Sequence, residues 1–202
     1  MAEPYSNVYA LILAAGGSTR MGQPKQLLRW QGRSLLERAI ESACRVLPER
    51  VFVVVGAHEL QIRAAINLDM VATVRNPDWQ AGIASSIRCG INALPASAEA
   101  VLLMLCDQPL VGSTHLAALL NARRNEPDLI IVSQYHLSCG VPVLFPAAYF
   151  ERLRSLTGDK GAKPLLREFE PRVLKIPLAE AGLDIDTPGD FEQLTGQAWA
   201  EE

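Results

Sequence analysis

The chain has 202 residues, of which 49% are hydrophobic and 20% are charged, a composition typical of globular proteins and not of disordered or fibrous ones. Its 22 acidic residues outnumber its 19 basic residues, so the formal net charge is −3. The composition therefore excludes the basic surplus that would indicate binding to nucleic acid or to an anionic membrane surface.

Short apolar runs alternate along the chain with longer amphipathic stretches. The runs predict strands at Val8–Leu13, Val51–Val55, Val71–Val74, Val101–Leu105, Leu129–Ser133, Val143–Phe145 and Val173–Ile176. Between them, apolar residues recur at helical spacing around Leu36, Ile87 and Leu120. This alternation predicts an α/β fold with a mostly parallel sheet covered by helices on both faces, and we expect residues 1–202 to form a single domain. Since proline cannot donate to a strand ladder, we expect Pro142 on an edge strand or at the first position of a strand.

The cysteines and the apolar runs bear on location. The four cysteines are far apart and form no CxxC pair, so zinc or a disulfide framework is not indicated. Reduced, structural thiols are typical of cytoplasmic proteins. The longest apolar runs, such as Val101–Cys106, are far too short to cross a membrane. We therefore expect a cytoplasmic protein that contacts neither a membrane nor nucleic acid.

A glycine-rich segment with two cations, Leu13–Lys25, leaves the first predicted strand. Its glycines let backbone N–H groups approach an anion, while Arg20 offers a planar fork and Lys25 a compact charge for phosphate oxygens. The alternative is a simple turn with solvated cations. A Walker A loop is excluded because Gln23, and not lysine, follows Gly22, and the GxGxxG dinucleotide fingerprint is absent. The segment predicts a polyphosphate site.

Acidic residues follow two further segments. Asp107 comes directly after the buried run Val101–Cys106, at the strand end where α/β sheets bind ligands, although it could instead only cap its loop. Asp186 precedes Thr187-Pro188, which predicts a helix start. Carboxylates together with phosphate oxygens are the ligands that Mg²⁺ prefers. Asp107 and Asp186 are therefore candidate metal ligands, with Asp184 as the alternative to Asp186.

The segment Asn76–Gly90 follows the third predicted strand and begins an amphipathic helix with small polar residues at Gly82–Ser86. A helix start of this kind offers free N–H groups and hydroxyls to a nucleobase or ribose. The alternative is that Ser85 simply caps the helix. The segment is therefore a candidate nucleoside site.

Together these segments resemble the molybdenum cofactor cytidylyltransferase family, within the wider group of Rossmann-like NTP transferases. Leu13–Lys25 matches LAAGxSxRMGxxK, Asn76–Gly90 matches NPxWxxGxxSSxxxG, Asp107–Pro109 matches DQP and Asp184–Pro188 matches DIDTP. Related guanylyltransferases usually read LAGG, so Ala15 favours CTP. The resemblance implies a three-layer Rossmann-like sandwich whose mostly parallel sheet has one antiparallel edge region. It also implies a Mg²⁺-dependent enzyme that transfers CMP from CTP to molybdopterin and releases pyrophosphate.

The resemblance further implies which residues form the site. Arg20, Lys25 and Asp107 would be catalytic, and Asp107 with Asp186 would bind Mg²⁺. The residues expected to contact the nucleotide are Leu13, Ala14, Ala15, Gly16, Gly17, Ser18, Arg20, Lys25, Gly82, Ser86 and Asp107. The expected partners are an NTP, molybdopterin or another phosphorylated small molecule and, transiently, a molybdoenzyme or its chaperone.

On the acceptor side the match is partial. The family usually carries YxGxxGHPVLF, whereas in Tyr135–Phe145 of this chain Leu137 replaces the first glycine and Val141 replaces the histidine. Val141 cannot donate a hydrogen bond to a phosphate or a pterin. Two other functions therefore stay open: a nucleotidyltransferase for another acceptor, such as a sugar or polyol phosphate, and a non-enzymatic accessory protein that binds a cofactor. His136 is interpreted as a solvated loop residue, and Lys163 replaces the arginine of a GDxGAR stretch.

Overall fold

The computed structural model describes residues 5, 7–135, 138–178 and 183–196. The strands are β1 (Val8–Ala14), β2 (Arg29–Trp30), β3 (Arg33–Ser34), β4 (Val51–Val55), β5 (Ala72–Arg75), β6 (Ala100–Leu105), β7 (Ile130–Tyr135), β8 (Ser138–Pro146) and β9 (Val173–Pro177). The α-helices are α1 (Leu35–Val46), α2 (Glu59–Ala65), α3 (Ile83–Ala93), α4 (Ser113–Asn125), α5 (Phe150–Arg154), α6 (Lys163–Glu168) and α7 (Pro188–Thr195). Among these residues no helix has the length and apolar character needed to cross a membrane.

The main sheet has seven strands in the order β5-β4-β1-β6-β8-β7-β9, and β2 and β3 form a separate hairpin. All pairings in the main sheet are parallel except those of β8, which runs antiparallel to both β6 and β7. This arrangement confirms the expected mostly parallel α/β sheet. Its strands bring the ends of β1 and β6 side by side, because these two strands are parallel neighbours.

Strand β1 shows why the sheet is covered on both faces. Ala10 and Ile12 pack into one apolar cluster with residues of α1 and α4, whereas Leu11 and Leu13 pack into another with residues of α3, α5 and α6. Successive side chains point to opposite faces of a strand, so a continuous apolar run fits a strand buried on both sides. The result is the three-layer sandwich that the sequence predicts.

Pro142 lies inside the sheet, so the expectation of an edge or a first position was wrong. It belongs to β8, which is flanked on both sides by other strands. The register explains how a proline fits there: Val132 pairs with Val143, but Ser133 pairs with Gly140, so residues 141 and 142 form a bulge. The residues of a bulge are outside the ladder, and the missing N–H of proline therefore breaks no ladder bond.

Helix α7 positions the second acidic segment near the glycine-rich segment. Thr187 and Asp190 form a capping box that fixes the helix start, as the sequence predicts for this position. The helix then packs Phe191 and Leu194 against a small apolar cluster formed by Met21, Leu28, Leu35 and Ile185. This packing holds the residues before α7 close to the glycine-rich segment.

Candidate active site

A cavity of about 900 Å³ opens at the C-terminal ends of β1 and β6. Ligands of open α/β sheets bind at this edge. The cavity is lined by the glycine-rich segment, by the start of α3 and by the segment from Asp159 to Arg167. Of the residues predicted to bind nucleotide or metal, Ser18 does not line it, whereas the following do: Leu13, Ala14, Ala15, Gly16, Gly17, Arg20, Lys25, Gly82, Ser86, Asp107 and Asp186.

Two carboxylates and two cations meet at the mouth of this cavity. The Nζ atom of Lys25 donates to Oδ2 of Asp107 at 2.5 Å and to Oδ1 of Asp186 at 2.9 Å. Arg20 Nη2 lies 2.9 Å from the other oxygen of Asp186. The structure thus brings together groups that are 82 and 161 positions apart in the sequence.

Backbone and side-chain hydrogen bonds hold the two acidic segments against each other. The N–H of Ile185 donates to the carbonyl oxygen of Asp107 at 2.9 Å. Gln108 Nε2 donates to Oδ1 of Asp184 at 2.9 Å. Asp184 is therefore bonded to the neighbouring segment, and Asp186 is the carboxylate that faces Lys25. This geometry favours Asp186 over Asp184 as the second candidate metal ligand.

Burial and pairing act in opposite directions on these groups. Burial alone would lower the pKa of Lys25, but the charge of Asp107 and the hydrogen bonds to both carboxylates outweigh it, so the pKa lies above its usual value. Burial raises the pKa of Asp107, against the effect of the Lys25 charge. For Asp186, burial is outweighed by the hydrogen bond and charge of Lys25 and by Arg20, and its pKa is lowered. Lys25 is a permanent cation here, and the Asp107 carboxylate depends on a cation beside it.

The carboxylates fit a divalent cation. Oδ1 of Asp107 is buried and has no hydrogen-bond partner among the described residues, although such an atom normally has one. Among those residues, no group of three or more His, Cys, Asp or Glu side chains is placed so that it could hold a metal ion. The protein would thus supply Asp107 and Asp186, and phosphate oxygens and water would complete the shell, as is usual for Mg²⁺.

Gln26 shapes the glycine-rich segment and was not predicted from the sequence. Its side chain is completely buried, and Nε2 donates to the carbonyl oxygens of Ala14 at 3.0 Å and Gly16 at 2.9 Å. Its Oε1 accepts from Ser18 Oγ, which itself accepts from the backbone N–H of Lys25 at 3.1 Å. Ser18 therefore closes the loop instead of lining the cavity. The only signal in the sequence is an uncharged polar residue between Lys25 and Leu27.

The start of α3 is defined by a close approach and a buried amide. Gly82 has φ +92°, and a Cβ there would lie 2.7 Å from the carbonyl oxygen of Gly158. Asn76 Nδ2 donates to the hydroxyls of Ser85 at 2.8 Å and Ser86 at 3.0 Å. The Ser85 hydroxyl donates to the carbonyl oxygen of Gly82, so Ser85 does not cap the helix and that alternative was wrong. Asn76 is a second organising residue that sequence reasoning did not identify.

The bulge of β8 presents Gly140 and Val141 to the cavity. The bulge is held by a buried hydroxyl, since Ser133 Oγ donates to the carbonyl oxygen of Pro142 at 2.6 Å. The Nε2 atom of His115 lies 2.8 Å from the same hydroxyl, and burial lowers the pKa of this histidine. His136, interpreted from the sequence as a solvated loop residue, and Leu137, which replaces the first glycine of the family pattern, lie outside the described residues.

The chain is similar to known proteins over most of its length. A family model described as "MobA-like NTP transferase domain" matches residues 10–173. The chain is 32% identical over 191 residues to a protein named nicotine blue oxidoreductase from Paenarthrobacter nicotinovorans, covering 89% of this chain and 92% of that protein. It is 28% identical over 188 residues to molybdenum cofactor cytidylyltransferase of Escherichia coli, covering 92% and 94%.

Among solved structures, the chain is similar to Rv0371c of Mycobacterium tuberculosis. One crystal structure of that protein has a TM-score of 0.84 at 28% identity and covers 95% of this chain and 98% of its own. A second, titled as a complex with manganese, has a TM-score of 0.78 at 27% identity, again covering 95% and 98%. The likeness extends over nearly all of both chains.

Proposed function

Because the chain belongs to the family of MobA-like NTP transferase domains and is a nucleotidyltransferase, we propose that it transfers CMP from CTP to molybdopterin and releases pyrophosphate. The observation that carries this proposal is the meeting of Lys25, Arg20, Asp107 and Asp186 at the mouth of a cavity large enough for a nucleotide and a second substrate. The 28% identity to the Escherichia coli cytidylyltransferase over almost the whole chain supports molybdopterin as the acceptor.

The reaction is an in-line displacement at the α-phosphorus of CTP. An oxygen of the acceptor's phosphate forms a bond to the α-phosphorus, the bond from that phosphorus to the bridging oxygen of the β-phosphate breaks, and pyrophosphate leaves with the electron pair. Lys25 binds the α-phosphate and Arg20 the β- and γ-phosphates, so that the developing charge is neutralised in place. The attacking phosphate is ionised at neutral pH and needs no general base. Consistently, no histidine lines the cavity in the described part of the chain.

Asp107 and Asp186 would hold a magnesium ion, which would neutralise charge on the polyphosphate. The unpartnered, buried Oδ1 atom of Asp107 supports this assignment. The manganese complex of Rv0371c supports a divalent cation in this family, and the choice of magnesium is part of the proposal. Ala15 lines the cavity, and its presence in place of glycine supports CTP as the donor. We also propose that residues 1–202 form one domain and that the enzyme acts in the cytoplasm.

Specific observations favour two other candidates. Val141 lines the cavity where the family pattern has a histidine, which favours another phosphorylated acceptor such as a sugar or polyol phosphate. The 32% identity to the relative named nicotine blue oxidoreductase favours a redox reaction. A non-enzymatic accessory role is less well supported, because a carrier has no need of the Asp107–Lys25–Asp186 arrangement.

The proposal is tested by pyrophosphate release from each of the four NTPs with Mg²⁺, in the presence and absence of molybdopterin. We expect release from CTP alone and only with molybdopterin. Release with a sugar phosphate in its place would establish the second acceptor class. Failure of all four NTPs to release pyrophosphate with either acceptor would contradict the proposal and favour the redox reaction.

A further inference from the structure

The segment from Asp159 to Arg167 presents three positive side chains to the active-site cavity. Lys160, Lys163 and Arg167 all line it, and all three are exposed. Asp159 is the single acidic residue of this segment, so three cations less one carboxylate leave a charge of +2, whereas the whole chain carries −3. Positive charge is therefore concentrated at this wall of the cavity.

These cations differ from the other positive residues of the cavity in having no partner. Within the described residues, none of Lys160, Lys163 and Arg167 takes part in a salt bridge, whereas Arg20 and Lys25 are both bound to carboxylates. The next cation before the segment, Arg154, pairs with Glu151. An unneutralised group of cations inside a cavity attracts an anion of matching charge.

The segment is fixed in place by its packing against the start of α3. The N–H of Ala84 donates to the carbonyl oxygen of Gly158 at 3.1 Å, and Gly82 allows the two backbones to touch. Leu165 and Leu166 of α6 are buried beneath the cations. Lys163 and Arg167 are four positions apart on α6, so their side chains lie on one face of the helix. The cations are thus held at a set place relative to the nucleoside side of the cavity.

Part of the cavity lining is apolar. Leu103, Val143 and Leu166 line this part. A ligand that satisfies both surfaces has an apolar or planar body and a group with two negative charges, which at neutral pH describes a phosphate monoester. We propose that Lys160, Lys163 and Arg167 form the subsite that binds the phosphate monoester of the acceptor, an inference that rests on the proposed transferase function.

The phosphate tail of the nucleotide has the same chemistry and is the competing occupant. The two sources are separated by filling the nucleotide site first, with the α,β-methylene analogue of CTP and Mg²⁺ at saturation. Phenyl phosphate, which joins a phosphate monoester to a flat apolar ring, is then titrated as the probe by calorimetry. The affinity of each protein for the CTP analogue is measured in a separate titration.

The variant is Lys163→Ala/Arg167→Ala, and its matched control is Arg45→Ala/Arg124→Ala. Arg45 on α1 and Arg124 on α4 are exposed, lie outside the cavity lining and have no ion pair in the described part of the chain, so the control removes the same charge elsewhere. We expect the variant to bind phenyl phosphate roughly tenfold to a hundredfold more weakly, since two charge-assisted contacts are lost. Its affinity for the CTP analogue should change by less than about twofold, as for the control. Lys160→Ala is a second variant, expected to act in the same direction, and circular dichroism verifies that all variants are folded.

Two results would overturn the inference: no binding of phenyl phosphate to the wild-type protein filled with the CTP analogue, or weaker binding of the CTP analogue by the variant with unchanged binding of phenyl phosphate. The pyrophosphate assay with molybdopterin tests the proposed function separately. If that assay fails while the variant still loses phenyl phosphate, the subsite stands and the acceptor is a different phosphate monoester.

Discussion

The two sides of the cavity differ in how their charged side chains are arranged. On the proposed nucleotide side, Arg20 and Lys25 are bound to Asp107 and Asp186, so two positive charges meet two negative ones. On the side of Lys160, Lys163 and Arg167, the three cations form no salt bridge with any described residue. We expect a polyphosphate to bind on the first side by exchanging these ion pairs, which a divalent cation makes favourable, whereas a single phosphate group should bind directly on the second.

Removing the buried carboxylate should break the nucleotide side most severely. For Asp107→Asn, which keeps the shape of the side chain, we expect turnover to fall by about two to four orders of magnitude, because a metal ligand and the partner of Lys25 are lost together. Pyrophosphate release with CTP and acceptor at saturation measures it. Asp128→Asn, at an exposed position outside the cavity lining, is the matched control. Unchanged turnover in Asp107→Asn would remove the metal assignment.

Lys25→Met tests whether the internal cation competes with a metal ion. Lys25 lies between Asp107 and Asp186, so its removal should let the protein without nucleotide bind Mn²⁺ about tenfold more tightly, although turnover falls. Electron paramagnetic resonance of free Mn²⁺ measures this binding directly. Arg63→Met, a cation on α2 with its own salt bridge to Glu59, is the control. Equal Mn²⁺ affinity in wild type and Lys25→Met would show that the lysine does not occupy the cation position.

Substitutions at Gly16 and Gly82 should have different effects, one on nucleotide binding and the other on stability. An added Cβ at Gly16 would meet no atom within 4 Å, whereas one at Gly82 would clash with Gly158 at a φ of +92°. We expect Gly82→Ala to lose roughly 1–3 kcal/mol of stability through strain. Gly16→Ala should keep its melting temperature, because the added methyl group would meet no other atom. It should bind CTP more weakly, because the methyl group would occupy space at the cavity wall. Calorimetric melting and CTP titration of both variants measure the difference, and a melting temperature lowered equally in both would contradict it.

The smallest expected effect concerns His115, the buried histidine beside the β8 bulge. Burial lowers the pKa of His115 from its ordinary 6.5, so as the pH falls the unfolded chain takes up this proton before the folded chain does. The stability contribution of the neutral histidine is complete above pH 6.5 and declines below it. His115→Gln should therefore show a shallower loss of stability between neutral pH and pH 5, measured by urea unfolding. A slope identical to the wild type would indicate that another group titrates.

Strong local patterns predicted most of the sheet. The run Val51–Val55 was placed to the residue, and β1 and β6 within one residue, because strands buried on both faces read as continuous apolar segments. The run at Val143–Phe145 was too short, since β8 begins at Ser138 and contains the bulge at Pro142. The short helices α2, α5 and α6 were not predicted, because helices of five to seven residues show little periodicity.

The residues of the candidate site could likewise be predicted only in part. The glycine-rich segment and Asp107 could be found because they directly follow strands, where ligand-binding groups are expected. Gln26 and Asn76 could not, because their hydrogen-bond partners are set by the path of the surrounding backbone. The cations Lys160 and Arg167 also carry no signal of their own, since an exposed lysine or arginine is usually solvated.

The sequence by itself determined the α/β class, the family and the position of the glycine-rich segment, because each depends on residues that are neighbours along the chain. Only the tertiary structure decided that Asp186, and not Asp184, faces Lys25. It also decided that Lys160, Lys163 and Arg167, which form no salt bridge within the described residues, line the same cavity as the glycine-rich segment. Both outcomes depend on contacts between distant segments, above all on the packing of α7 and α6. Local periodicity carries no record of such contacts, because they follow from the free energy of the whole packed core.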